Sequence, residues 1–247
     1  MIIKFLLPAS AVIILACLVL FILKRYRACF IMLTAFSAVY MSYLAARSYI
    51  SGIFIFNPSI EPVYLLPFCL AMVMVLLISR NGTETRYHSI LLLLSFFVMM
   101  VVVFPAGMTA IGPNKITPWA WTYLIADSVA KACFYSGGWL ALMFLLKKSA
   151  EDDFSPLLTW GFIFFSIAQA AGAVWCFLGW AGTFQWVDIH LQSAAIWCFY
   201  ANYIHLKYIL RWDAGKRSVY AVTGLFLLLI FYVFFYFKEY GLARIGG

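Results

Sequence analysis

The chain has 247 residues, of which 66% are hydrophobic and 11% charged, and its formal net charge is +8. Soluble domains usually contain about 45–50% apolar and about 25% charged residues, so this composition indicates a protein that lies in membrane lipid. A soluble enzyme, a disordered regulator and a nucleic-acid-binding protein are therefore excluded.

Eight apolar runs follow one another along the chain, each bounded by charged residues, Pro or Gly. They cover residues 5–23, 28–46, 62–79, 87–104, 119–146, 157–180, 189–210 and 218–237. A span needs about 20 apolar residues, and only a helix satisfies its own backbone hydrogen bonds in lipid. We therefore expect an all-α, polytopic membrane protein, a bundle of eight transmembrane helices in a single domain over residues 1–247. Because Lys24, Arg25 and Arg27 follow the first run, we expect that run to be a retained span and not a signal peptide.

The positive residues are distributed unequally between the two alternating sets of loops. One set contains Lys24, Arg25, Arg27, Arg80, Arg86, Lys147, Lys148, Lys207, Arg211, Lys216 and Arg217, whereas the other set and the termini contain Lys4, Arg47, Lys115, Lys238 and Arg244. Since cytoplasmic loops are enriched in Lys and Arg, we expect the first set in the cytoplasm. Both termini would then lie on the outer, periplasmic side of an inner (cytoplasmic) membrane.

Titratable residues inside the apolar runs are few. Asp127 and Lys131 lie four residues apart, hence on one face of the fifth run. An unpaired charge there costs at least about 2.5–3.5 kcal/mol, so the two residues can pair with each other. Alternatively, Lys131 can anchor a carboxylate of a ligand and Asp127 can carry protons. The six cysteines lie in or beside apolar runs without a C-x-x-C pair, which is typical of packing thiols.

The three histidines of the chain are His88, His190 and His205. His88 begins the fourth run, next to positive residues, and we expect it to be solvated. His190 and His205 lie fifteen residues apart in the seventh run. A helix would separate them by about 22 Å, so they cannot ligate one metal ion together.

Tryptophan is concentrated around the loop between the sixth and seventh runs. Trp175, Trp180, Trp186 and Trp197 lie within 23 residues. Aromatic residues are enriched at membrane interfaces, which explains some of this without any function. A group of apolar rings also suits a large planar ligand such as a porphyrin. Composition leaves both interpretations open.

The sequence from Gly172 to His205 reads GAVWCFLGWAGTFQWVDIHLQSAAIWCFYANYIH. This stretch resembles the tryptophan-rich segment of the haem-handling WWD proteins, in particular the CcsA/HemX type of cytochrome c assembly protein. The gapless match places on family positions Trp175, Trp180, Trp186, Trp197, Tyr200, Tyr203 and His205. The resemblance implies that Trp175, Trp180 and Trp186 stack on haem at the outer membrane face. It also implies that His205 contacts haem, or its route, inside the membrane.

The chain departs from this family in its outward ligands. The two outward histidines that the family uses for haem iron are absent, because residues 108–127 and 238–247 contain no His. The carboxylate after the third Trp is displaced by one residue to Asp188, and His190 occupies the next acidic position of the pattern. We therefore regard Asp188 and His190 as candidates for orienting and ligating haem, with Met108 or Tyr123 opposite.

The resemblance leaves two functions in different classes. The first is a haem-handling protein of cytochrome c maturation, with haem bound or passing and no catalytic residue of its own. Its partner would be another cytochrome c assembly protein or a multihaem cytochrome, and Lys131 could hold a haem propionate. The alternative is a structural membrane-anchor subunit of a cytochrome or electron-transfer complex, with haem transfer lost. A small-solute transporter that uses Asp127 and Lys131 is a third, weaker hypothesis.

Overall fold

The computed structural model describes residues 3–50, 62–80, 84–103, 117–146, 153–184, 188–209 and 211–236. These residues form an all-α structure with eight helices of 15 to 28 residues and one single-turn helix. The helices are α1 Ile3–Ile22, α2 Tyr26–Ile50, α3 Pro62–Arg80, α4 Glu84–Tyr87, α5 Ser89–Val103, α6 Pro118–Leu145, α7 Phe154–Trp180, α8 Asp188–Leu206 and α9 Ala214–Tyr236. Each long helix coincides with one predicted apolar run to within about one turn. The all-α prediction is confirmed.

Five of the described helices, α1, α2, α6, α7 and α9, are long and apolar enough to cross a membrane. Helices α3 and α5 are also apolar, but their apolar segments are shorter than those of the other five. Helix α8 is more polar, since it contains two histidines as well as Gln192 and Asn202. The chain is thus a polytopic membrane protein, whereas a transmembrane position for α3, α5 and α8 stays a prediction.

Helix α6 forms the centre of the bundle and packs against α3, α5, α7 and α9. Small residues allow these close approaches. A Cβ atom at Gly138 would lie 2.6 Å from Leu225 Cβ of α9, and one at Gly161 of α7 would lie 2.6 Å from the Phe134 ring. Helix α8 packs across α7 and α9, and Tyr200 stacks on Phe134 with 3.6 Å between ring centroids.

The bundle has one strongly basic end, at which α1, α3, α6 and α8 finish and α2, α5, α7 and α9 begin. Contacts between elements hold this end together: the Tyr26 and Tyr87 rings lie 4.9 Å apart, and Arg86 pairs with Asp153 at the start of α7. Lys207 Nζ, just beyond α8, donates to Thr159 Oγ1 of α7 at 3.4 Å.

The positive residues assigned above to cytoplasmic loops lie at this basic end, as far as the structure describes them. They are Lys24, Arg25, Arg27, Arg80, Arg86, Lys207, Arg211, Lys216 and Arg217. Lys147 and Lys148 lie outside the described residues. The alternation of the loops therefore gathers these charges at one end, and the cytoplasmic location of that end stays a prediction.

Candidate functional site

The opposite end of the bundle contains an aromatic cluster where α7 ends and α8 begins, beside the first turns of α6. We call it the α7–α8 cluster; it comprises Tyr123, Trp175, Cys176, Trp180, Phe184 and His190. Helix α7 ends because Ala181 takes the left-handed conformation (φ 56°), and its N–H donates to Phe177 O at 2.9 Å. This C-terminal cap turns the chain towards α8 and brings the two helix ends together.

Trp175 is the central ring of the cluster. It contacts the Tyr123 ring of α6, with 5.9 Å between centroids, and the Trp180 ring, with 5.8 Å between centroids and an interplanar angle of 68°. Gly172 makes room for Tyr123, because a Cβ atom there would lie 3.1 Å from Tyr123 Cδ2. The Trp175 and Trp180 rings meet edge to face, so they do not form one flat surface.

His190 lies against the same cluster, at the third residue of α8. Its Nε2 atom is 3.7 Å from Cys176 Sγ, and its ring centroid is 5.5 Å from that of Phe184. Cys176 is buried and His190 is half-buried. Cys176 is a packing thiol by the sequence prediction. Its position close to the end of α7, like that of His190 close to the start of α8, was the signal that could have paired them.

Trp197 does not belong to this cluster. It lies about halfway along α8, where its Nε1–H donates to Ser166 Oγ of α7 at 3.0 Å and its ring packs on Phe162. Trp186 and Met108 lie outside the described residues. Asp188 is the first residue of α8, and its side chain also lies outside the described part of the structure.

His205 lies at the other end of α8 from His190, in the last turn and at the basic end of the bundle. Its side chain is exposed, and its carbonyl group accepts a hydrogen bond from the Tyr208 N–H at 3.0 Å. The helix therefore places the two candidate histidine ligands at opposite ends, as their spacing predicts. Tyr200 and Tyr203, which the resemblance places on family positions, are buried packing residues between α6, α8 and α9.

Asp127 and Lys131 form an ion pair in the middle of α6. Lys131 Nζ lies 2.7 Å from Asp127 Oδ2, and the side chains are 28% and 4% exposed, respectively. Asp127 lies one helical turn after Tyr123 of the α7–α8 cluster. The pairing neutralises the buried carboxylate, while the lysine side chain stays partly accessible from outside the bundle.

The α7–α8 cluster contains a side chain that would bind a haem iron. Imidazole is a common haem ligand, and His190 offers this group beside apolar rings and the Cys176 thiol. A pair of outward histidines does not fit, because His88 and His205, the two remaining histidines of the sequence, lie at the basic end. Within the described ranges, no group of three His, Cys, Asp or Glu residues is arranged to hold a metal ion.

The amino-acid sequence is similar to those of one group of known proteins. No protein-family model matches the sequence. Cytochrome c biogenesis protein CcsA of Prochlorococcus marinus is 30% identical over 102 residues, which are 40% of this chain and 32% of that protein. The proteins of the same name from Welwitschia mirabilis (33% over 72 residues) and Cyanophora paradoxa (31% over 88 residues) match 29% and 36% of this chain.

These matches are partial on both sides, since the chain spans about a third or less of the length of these curated relatives. They nevertheless recur across several organisms at similar identity. The resemblance inferred from the tryptophan-rich segment is thereby confirmed. This polytopic membrane protein is a distant homologue of the CcsA cytochrome c biogenesis proteins.

Proposed function

We propose that the protein binds or passes haem at the α7–α8 cluster as part of cytochrome c maturation. The observation that carries this proposal is the position of His190, whose imidazole lies next to Cys176 and among aromatic rings in a homologue of cytochrome c biogenesis proteins. In this proposal haem is cargo, held long enough to be handed on. The protein itself needs no nucleophile or general base.

Four residues of the cluster have a role in this proposal. His190 would hold the haem iron through an imidazole nitrogen, and Cys176 would orient the imidazole through the 3.7 Å contact between Sγ and Nε2. Trp175 and Trp180 offer apolar walls rather than a single stacking surface, since their planes are inclined by 68°. Trp186 and Asp188, which precede His190 in the sequence, stay candidates for contacting and orienting the macrocycle.

The ion pair on α6 offers a second point of attachment. The Lys131 ammonium is already neutralised by Asp127, but its side chain is 28% exposed and can donate to a second carboxylate. A haem propionate is such a group. Because Asp127 lies one turn from Tyr123, a ligand that extends from the α7–α8 cluster along α6 reaches this pair. His205 and Trp197 are more distant and would serve only a route within the membrane.

The orientation of the bundle decides where haem is presented. With the basic end in the cytoplasm, the α7–α8 cluster and both termini face the periplasm, on the outer side of the inner membrane. In this proposal the protein hands its haem to a partner. We propose another cytochrome c assembly protein, or a multihaem cytochrome, as that partner.

The test is a haem titration of the full-length protein in detergent. Wild-type protein should show a Soret band and a pyridine haemochrome signal, and His190→Ala should weaken haem binding by more than about tenfold. His88→Ala is the matched control, because it also removes an imidazole but at the basic end, and it should bind haem normally. Loss of haem in His205→Ala but not in His190→Ala would refute the α7–α8 cluster as the site.

A structural anchor subunit is the second candidate, and the lone imidazole at the α7–α8 cluster favours it. Folded protein that binds no haem in any variant, yet copurifies with a cytochrome at fixed stoichiometry, would establish this alternative. Transient association with an apocytochrome, together with a Soret band, would support maturation.

A further inference from the structure

Two buried thiols meet at the hairpin between α1 and α2. Cys17 lies five residues before the end of α1, and Cys29 is the fourth residue of α2. Their Sγ atoms are 3.3 Å apart, and both side chains are fully buried. Each thiol also points at the backbone of the other, since Cys17 Sγ is 3.4 Å from Cys29 O and Cys29 Sγ is 3.5 Å from Cys17 O. The two sulfur atoms therefore face each other across the helix interface.

The turn between the helices produces this juxtaposition. Residues 23–25 reverse the chain, with Lys24 in the left-handed conformation (φ 56°) and its N–H bonded to Phe21 O at 2.9 Å. Two antiparallel helices joined by so short a turn place residues at equal distances from the turn side by side. Next to the turn, the end of α1 packs against the residue after α4, because the Phe21 and His88 rings lie 5.1 Å apart.

We propose that Cys17 and Cys29 are a redox pair that closes to a disulfide joining α1 to α2. A disulfide needs about 2.0 Å between its sulfur atoms, so the two Sγ atoms must approach by about 1.3 Å. Small rotations of the two side chains provide such a movement without a change in the turn.

The environment of the pair favours a disulfide over a metal centre. A thiol must lose its proton to bind a metal ion, and a thiolate–metal group would leave net charge among apolar side chains. A third ligand is also missing from the part of the chain that the structure describes. A disulfide is neutral and apolar, so it can remain where the two thiols now lie.

Charge around the turn indicates which oxidant can reach the pair. Lys24 and Arg25 lie in the turn and Arg27 is the second residue of α2, and all three side chains are exposed. Such a positive surface attracts an anionic small disulfide, for which oxidised glutathione is a suitable probe. Cys29 is the sulfur closer to the turn, so a local opening of the turn exposes it first.

The reaction is a two-step thiol–disulfide exchange. Cys29 loses its proton and attacks one sulfur of the small disulfide, which gives a mixed disulfide and releases one thiol. The sulfur of Cys17 then loses its proton and attacks Cys29 Sγ, and the second thiol leaves. In total the pair loses two electrons and two protons, and the small disulfide gains both and becomes two thiols.

The experiment maps thiols in the full-length protein, in detergent, after incubation with reduced or oxidised glutathione. Free thiols are blocked with one maleimide under denaturing conditions, disulfides are then reduced, and the new thiols are labelled with a second maleimide and located by peptide mass spectrometry. We expect Cys17 and Cys29 to take the second label together after oxidation, and their peptides to be joined before reduction. Cys69, which is also buried, should keep the first label.

Two variants serve as controls. Arg211→Cys places an exposed thiol at the same end of the bundle and reports that the oxidant has reached it. Cys17→Ser should leave Cys29 free or bound to glutathione, without an inter-helix bond. Full modification of Arg211→Cys while Cys17 and Cys29 keep the first label would overturn the proposal, and so would Cys29 joined to Cys69 as often as to Cys17. The wild-type map decides this even if Cys17→Ser does not fold, and none of these outcomes depends on haem binding.

Discussion

The ion pair between Arg86 and Asp153 provides a direct test of how the basic end is held together. Arg86 Nη2 lies 3.0 Å from both Asp153 carboxylate oxygens, its Nε is 3.3 Å from Oδ2, and its Nη1 donates to Leu77 O at 2.6 Å. One guanidinium thus joins the end of α3, α4 and the residue before α7. The side chains are 6% and 23% exposed, so water screens the pair only in part.

We predict that Asp153→Asn lowers the free energy of unfolding by about 2 kcal/mol. Hydrogen bonds to charged groups contribute about 1.5–3 kcal/mol. A fully broken buried ion pair costs about 3–5 kcal/mol, but the asparagine retains one oxygen for the arginine, so the loss of stability should be smaller than that. For a domain of this length, such a change lowers the melting temperature by roughly 4–8 °C.

Thermal unfolding in detergent can be followed with a fluorophore that reacts with thiols, because Cys69 and Cys133 are buried until the bundle opens. Arg211→Ala is the control, since it removes an exposed charge at the same end and should change stability by less than about 0.5 kcal/mol. In a double-mutant cycle with Arg86→Ala and Asp153→Ala, the coupling energy should exceed about 1 kcal/mol. Additive effects of the two substitutions would refute the interpretation of this contact as a link between helices.

Three further substitutions test packing, capping and charge, each by the same thermal assay. Gly138→Ala should lower the free energy of unfolding by about 1–3 kcal/mol, because its new Cβ would lie 2.6 Å from Leu225 Cβ. Gly179→Ala is the control, since its Cβ meets nothing within 4 Å and should not lower stability. Equal effects of the two substitutions would contradict this explanation. Ala181→Gly should stabilise the protein by about 1 kcal/mol, since glycine adopts the left-handed cap without strain; a lower melting temperature would show that the cap is not strained. Lys131→Met should destabilise the protein by about 3 kcal/mol, because it leaves Asp127 unpaired. Adding Asp127→Asn should recover part of that stability. No recovery would show that the two residues do not interact.

Several features of this protein could be read from the sequence alone. All eight long helices coincide with predicted apolar runs, because lipid requires both a minimum length of apolar sequence and a backbone that bonds to itself. The relation to CcsA followed from the spacing of tryptophans between Gly172 and His205. The separation of His190 from His205 followed from the rise of a helix.

Contacts between helices needed the tertiary structure. The pairing of Cys17 with Cys29, the pairing of Cys176 with His190 and the edge-to-face arrangement of Trp175 and Trp180 were not predicted. The physical reason is that most of these helices are apolar almost all round, so their sequences carry little information about which face points inwards. The rotation of each helix about its own axis is decided by close packing at small residues and by a few buried polar groups, and those contacts exist only once the helices have assembled.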